Sequence, residues 1–281
     1  MAKKAKVYTG TEWVDLAAAT TDLSGYPALA TNQFSFRNKI INGDFRINQR
    51  GYTSASNLAS GSYGFDRWKS TFTNTTLTFT SAPQGQMVTI NSGGSVEQII
   101  ERENMPAGTY VLSWTGTATG RVYNTGATPP SYAASPILVT IDGTANVEVE
   151  FTASGGTRTL QNVQLEAGSV ASAFERRPIG TELALCQRYY HQLRAGNGNM
   201  VRLTTAKEYT YWSNNMTHPT TMRVSPTMVI YNSGGTPGYF DPDGGGVTAT
   251  VGYRADVKYW AVYPTATTRN GECYYTASAE L

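Results

Sequence analysis

Val147-Glu148-Val149-Glu150-Phe151 alternates apolar and acidic residues with a period of two. Successive side chains of a strand point to opposite faces, so this stretch predicts a half-buried strand and not a helix. The reading extends outward. Ile137-Leu138-Val139-Thr140-Ile141 ends at Asp142-Gly143, a pair that predicts a hairpin turn into the next strand. Tyr110-Val111-Leu112-Ser113-Trp114 follows the turn-like Pro106-Ala107-Gly108. Leu77-Thr78-Phe79 and Met87-Val88-Thr89-Ile90 flank Ser81-Ala82-Pro83-Gln84-Gly85. Short strands with turn signals roughly every 8–12 residues predict a sandwich or jelly roll.

Composition agrees. Of 281 residues, 15% are charged, 11% are aromatic, 18 are Tyr and 28 are Gly, with a formal net charge of +2. A coiled coil needs Glu, Lys, Leu and Ala at helical spacing, and pervasive disorder needs few aromatic and β-branched residues. Neither fits. A strong nucleic-acid or membrane-surface binder carries a large charge excess, so neither partner is expected. No apolar run reaches the length of a membrane span, so no membrane insertion is expected. Lys3, Lys4 and Lys6 resemble the start of a signal peptide, but Val7 to Glu12 is polar where the apolar stretch should follow. Cys186 and Cys273 read as two free thiols rather than a disulfide scaffold.

The chain divides by pattern into four parts. Residues 1–35 are small, polar and too poor in apolar groups to bury a core. They read as a flexible tail or as an arm that orders against a partner, with Lys6 to Val14 able to form a small hairpin and Trp13 as its anchor. Residues 36–177 carry the β pattern above. Residues 178–193 predict a linker helix, with Thr181 as N-cap, Glu182 in the first turn, and Leu183, Cys186 and Tyr190 at helical spacing. Residues 194–281 are again β-like, with Met228 to Tyr231, Val247 to Val251, Lys258 to Tyr263 and Glu272 to Ala277 as strands. The expected fold is therefore all-β: two jelly-roll-like β-sandwich domains joined by a short helix, after an extended arm.

Several motifs go further. They are Asn42-Gly43-Asp44-Phe45-Arg46-Ile47-Asn48-Gln49-Arg50-Gly51, then Asp66-Arg67-Trp68, then Gln161-Asn162-Val163-Gln164-Leu165-Glu166-Ala167-Gly168-Ser169. The last continues through Phe174-Glu175-Arg176-Arg177-Pro178-Ile179-Gly180 to Cys186-Gln187-Arg188-Tyr189-Tyr190, and Tyr275 to Leu281 matches as well. Together these resemble bacteriophage tail-fibre or head-fibre-like virion proteins with a carbohydrate-binding-module-like jelly roll. More weakly, Val7 to Val14 resembles the attachment peptides of phage fibres. The resemblance implies a virion protein on the tail or capsid surface, assembled in the host cytoplasm. It implies docking to other virion proteins through Tyr8, Trp13 and Val14, assembly as a homotrimer, and contact with host surface glycan as a receptor-binding tail fibre. The alternative it leaves open is a capsid decoration, head-fibre or adaptor protein with a purely structural role.

The chemistry-bearing residues are sparse. His191 and His218 are the two histidines, and neither sits in a zinc-ligand spacing. No phosphate loop or nucleophile elbow occurs. Asp241-Pro242-Asp243-Gly244 reads as a plain turn, because the further oxygen ligands of a calcium loop do not follow. Glu97, Glu101, Glu103, Glu148, Glu150, Asp241 and Asp243 are carboxylates of the kind glycoside hydrolysis uses, but alternating carboxylates read as solvated strand faces. No cofactor and no enzymatic activity are expected. Trp68 reads as a sandwich core residue or a sugar-stacking platform, with Asp66 and Arg67 able to pair beside it. Sugars stack on aromatic faces while amides and carboxylates bond their hydroxyls. Tyr239 and Phe240, in a Gly/Pro-rich loop and so expected to be exposed, join Asp241 and Trp260 as the glycan-binding candidates.

Overall fold

The computed structural model describes residues 6–8, 13–15, 36–193, 201–203, 216–242, 249–264 and 271–281. At 6–8, 13–15, 202–203, 242, 249–254 and 262–264 it describes the backbone only. The chain falls into two compact units, Met1–Arg37 and Asn38–Leu281. In the first, Lys6–Tyr8 and Trp13–Asp15 pair antiparallel, with Val7 opposite Val14 and Tyr8 opposite Trp13. That is the small hairpin the sequence suggests.

Among its described residues, the second unit is all-β apart from one α-helix and a short 3-10 turn at Arg102–Asn104. It opens with a two-sheet sandwich. The larger sheet has six strands, in the order Ile137–Ile141, Gly108–Gly116, Arg158–Ala167, Val88–Ile90, Thr75–Thr78 and Asn57–Leu58. The smaller has four: Lys69–Ser70, Ser95–Ile100, Val147–Thr152 and Thr119–Asn124. Every pairing is antiparallel. One core lies between them, with Leu112, Trp114, Leu160 and Leu165 from the large sheet against Val96, Val122, Val149 and Phe151 from the small one. Each such side chain contributes about 1.5–3 kcal/mol on burial. Trp68 belongs to this core. It is fully buried, its ring lies 5.1 Å from Phe45 and 6.0 Å from Phe151, and its indole N–H donates to the Asn42 carbonyl at 2.9 Å. No face of it is open to a sugar.

Val147–Thr152 departs from the half-buried expectation. Its apolar face packs in the core as the alternation requires, but Glu150 on the other face is only 3% exposed. The register explains this: Lys69 stands opposite Glu97, Glu97 opposite Glu150, and Glu150 opposite Arg121, a charged row across all four strands. Lys69 Nζ is 3.0 Å from Glu97, and Arg121 Nη2 is 2.5 Å from Glu150. Burial alone would raise the Glu150 carboxyl, but bonds from Arg121, Tyr132, Ser95 and Thr71 hold it below its ordinary value. Glu97 is pushed up by burial. The carboxylates expected on a solvated face are thus tied into the sheet.

The Asp142-Gly143 turn forms, but it does not make a hairpin. Ile137–Ile141 pairs with Gly108–Gly116 in one sheet and Val147–Thr152 with its neighbours in the other. Asp142 accepts from the Thr144 amide and hydroxyl at 2.9 and 2.8 Å, and Gly143 takes φ +74°, which costs glycine nothing sterically. Local turn chemistry is met, while the crossing between sheets is decided by the core.

The helix runs Ile179–Gln187 and starts earlier than expected. Pro178, not Thr181, is the N-cap. It is extended at φ −53° and its carbonyl accepts the first helical bond from Glu182 at 3.1 Å. Tyr190 lies beyond the helix, at the start of a strand. A third sheet follows, of eight strands, built about Gly271–Ser278. That strand pairs with Tyr190–Leu193 and Val201–Leu203 along one side and with Thr227–Tyr231 and Tyr239–Pro242 along the other. A second apolar cluster backs it, including Met222, Met228, Ile230, Phe240, Trp260 and Cys273. Both cysteines are free and buried.

Candidate functional site

The resemblance motifs converge on one place, where the sandwich meets the helix and the third sheet. Asn42, at φ +58°, donates through its side-chain amide to the carbonyls of Ile47 and Asp66 at 2.8 and 3.0 Å, and its backbone amide donates to Glu182 at 2.5 Å. Arg177 links Glu182 at 3.1 Å to the carbonyls of Ile40 and Asn38. Gln49 donates to Asp66 at 2.8 Å and to the Tyr190 carbonyl at 2.8 Å. Asp66 and Arg67 do not pair with each other. Asp66 faces Arg50 at 3.6 Å, while Arg67, fully buried, bonds Glu280 and stacks on the Tyr189 ring at 3.6 Å. Gln161 to Gln164 forms a bulge in its strand, where the Val163 amide reaches the Gly43 carbonyl at 2.8 Å. These contacts hold the unit together, and Asn42, Asp66, Arg67, Arg177 and Glu182 are buried in them.

An open groove lies on the third sheet. A groove of about 370 Å³ is lined by Gln192, Tyr231, Asn232, Ser233, Tyr274 and Thr276, among others. Register puts Tyr231 directly opposite Tyr274, and Gln192 opposite Thr276, which by the period of two share a face. Tyr275 faces the other way, its ring 4.3 Å from Trp260 and 5.4 Å from His191. The groove floor is therefore a cross-strand tyrosine pair, with Tyr231 half-buried and Tyr274 only 7% exposed, flanked by amide and hydroxyl groups. Asn232 closes its rim: its carboxamide oxygen accepts from the Thr236 amide at 2.7 Å. Asp241, opposite Glu272, extends the same face, and its carboxylate accepts from the Ser233 amide at 2.5 Å. Burial, then Glu272 and Asp241, push the Tyr274 phenol up, so it is a neutral hydroxyl donor at pH 7.

The residues singled out from sequence fall as follows. Asp241 is half-buried at the groove's margin. Tyr239 is half-buried in a strand paired with Thr250. Phe240 is fully buried and Trp260 is 2% exposed, both in the apolar cluster behind the sheet. The expected exposure of Phe240 is therefore corrected: Tyr239–Pro242 is a strand, not a loop, and its alternation turns Phe240 inward. Tyr259, next to Trp260, is 53% exposed, as alternation requires. Tyr8, Trp13 and Val14 lie on the described hairpin backbone. Asp243 lies outside the described residues. Tyr231 and Tyr274 were not singled out. Each sits in a stretch that reads correctly as a strand, but only the register across Gly271–Ser278 brings them face to face.

The two histidines also meet. His191 Nε2 and His218 Nδ1 are 2.8 Å apart, and His218 Nε2 is 3.0 Å from the Asp256 carbonyl oxygen. Burial and the neighbouring ring hold His191 down at about 3, and burial lowers His218. Among the described residues, no group of three or more His, Cys, Asp or Glu is placed to hold a metal ion. No described helix is long and apolar enough to cross a membrane.

No protein-family model matches the chain, and no curated protein matches it. Solved structures give weak likenesses. The enzymatically active domain of bacteriophage CBA120 tailspike protein 4 is 12% identical over 47% of this chain and 22% of that one, with a TM-score of 0.29. A Paenibacillus sp. cycloisomaltooligosaccharide glucanotransferase is 9% identical over 83% and 46%, at 0.24. The CBM22-1-CBM22-2 tandem domain of Paenibacillus barcinonensis Xyn10C is 10% identical over 82% and 92%, also at 0.24. The chain thus spans less than half the length of the first two.

Proposed function

We propose that the protein is a non-enzymatic virion structural protein whose third sheet binds host surface glycan through the Tyr231–Tyr274 groove. The observation that carries this is the groove: two tyrosines opposed across neighbouring strands, with Gln192, Asn232 and Thr276 alongside. Aromatic rings take the apolar face of a pyranose, and amides and hydroxyls pair with its hydroxyl groups. The virion motifs and the low charge support the setting. In this reading the arm, through Tyr8, Trp13 and Val14, docks to other virion proteins on the tail or capsid surface, and the protein assembles as a homotrimer.

A glycan array probed with the full chain and with Tyr231→Ala tests the reading. Binding by the native chain and its loss in the variant support it. A silent array, together with loss of particle stability on deletion of the protein, favours the decoration role. Deleting residues 1–35 should block incorporation into particles, and normal incorporation refutes the arm's role. Light scattering that finds a stable monomer refutes the trimer.

A further inference from the structure

A second cleft, of about 750 Å³, is bounded by Glu101, Arg102, Glu103, Thr144, Asn146, Arg188 and Arg223, among others. Its lining is charged where the tyrosine groove is neutral. Glu101 is buried and already neutralised: Arg188 Nη2 lies 3.2 Å from it and Arg223 Nε 4.0 Å. Arg223 is held further by the carbonyls of Ala279 and Glu280, at 2.8 and 3.2 Å, so it forms a fixed wall. Arg102 uses Nε on Glu103 at 3.0 Å. Among the described residues, Arg102 therefore keeps both Nη groups unused, and Arg188 keeps Nη1 and Nε. Arg102 is 60% exposed at its side chain and Arg188 is 36% exposed. Leu281 also borders the cleft, and its carbonyl oxygen accepts from Tyr63 and Lys69. Asn146 gives its carboxamide oxygen to the Arg102 amide at 3.1 Å, which leaves its NH₂ group as a donor. Thr144 donates its hydroxyl to Asp142 at 2.8 Å and can still accept.

Two partly open guanidinium edges beside an amide and a hydroxyl are the donor set for a carboxylate carried on a hydroxylated ring. A guanidinium fork matches a carboxylate in plane, and the charge-assisted bonds are about twice as strong as neutral ones. Hydroxyls alone would not require either cation. We propose that this cleft binds an acidic saccharide unit through its carboxylate, with Arg102 and Arg188 as the recognising residues. The proposal rests on the glycan-binding reading above and adds the chemical class of the sugar.

The experiment uses the full chain, with trigalacturonate as the carboxylated probe and its carboxyl-reduced counterpart as the neutral one. Calorimetry follows the native chain, Arg102→Gln, Arg188→Gln and Tyr231→Ala. Loss of one charge-assisted bond should weaken trigalacturonate binding about tenfold in each arginine variant. The neutral probe should bind the arginine variants as it binds the native chain, and added salt should weaken only the acidic probe. Because Arg102 is exposed, Arg102→Gln keeps the fold, and unchanged near-UV circular dichroism will verify this for each variant. Equal trigalacturonate affinity in native and arginine variants overturns the proposal. If Tyr231→Ala abolishes that binding instead, the glycan reading stands while the cleft proposal fails. If the native chain ignores trigalacturonate, the cleft proposal fails, and the neutral probe then decides the glycan reading separately.

Discussion

Acid should weaken the third sheet through His191 and His218. The Asp256 carbonyl oxygen can only accept, so His218 Nε2 carries its proton. His218 Nδ1 is then a lone pair, which accepts from His191 Nε2–H at 2.8 Å. His191 Nδ1 is left unprotonated and buried, with no partner among the described residues. The charged groups acting on the pair are few: Asp256 beside His218, and each ring on the other, with the uncharged Tyr275 ring edge-on to His191. Burial holds His191 at about 3, against 6.5 for a free imidazole. A folded-state value below the unfolded one means that the unfolded chain binds more protons between the two. Stability is therefore complete above about pH 6.5 and falls as pH drops toward about 3, by about 1.4 kcal/mol per unit. Over the whole window His191 accounts for about 5 kcal/mol, and His218 acts in the same direction. His191→Gln is the test, because its amide N–H can still donate to His218 while the side chain no longer titrates. Urea unfolding, followed by tryptophan fluorescence, should show the native chain losing about 2 kcal/mol more than this variant between about pH 6.5 and 4.5. Equal losses in the two proteins refute the reasoning.

Three further predictions concern the junction and the core. Glu280→Ala leaves the fully buried Arg67 without its carboxylate and should cost about 3–5 kcal/mol in urea titration. The double variant with Arg67→Met should recover part of that, and strict additivity would sink the coupling. Gly43→Ala places a methyl group 2.2 Å from the Val163 carbonyl oxygen. It should destabilise by about 1–3 kcal/mol, seen as a lowered melting temperature. Burial raises both thiols, Cys186 well above its ordinary value and Cys273 to about 12. Iodoacetamide should therefore label neither in the native protein and both after unfolding, and rapid native labelling of either contradicts their burial.

The strands were legible wherever one face is buried and the period of two survives, as at Ile137–Ile141 and Thr227–Tyr231. What alternation cannot reveal is which strands meet. The Asp142-Gly143 turn looks the same whether it joins neighbours or crosses between sheets. Glu148 and Glu150 look equivalent, yet only Glu150 stands in the row that ends at Arg121. The helix start was misread because Thr181 has the right chemistry for a cap, whereas the burial of Glu182 against Asn42 and Arg177 fixes the start at Pro178. The groove and the histidine pair were both invisible because their partners lie far apart in the chain, and the groove forms only through Gly271–Ser278.

That strand has a consequence for how the protein reaches its native state. Tyr190–Leu193, Val201–Leu203, Thr227–Tyr231 and Tyr239–Pro242 all take their hydrogen bonds from it. Until it arrives, Tyr239–Pro242 keeps its pairing with Ala249–Ala255, but none of the four has its partner on this side. The sheet therefore closes in one late, long-range step, and slow folding follows from such non-local pairing. Losing Gly271–Ser278 would not shorten the sheet by one strand. It would strip four others of their shared partner and take the groove with it.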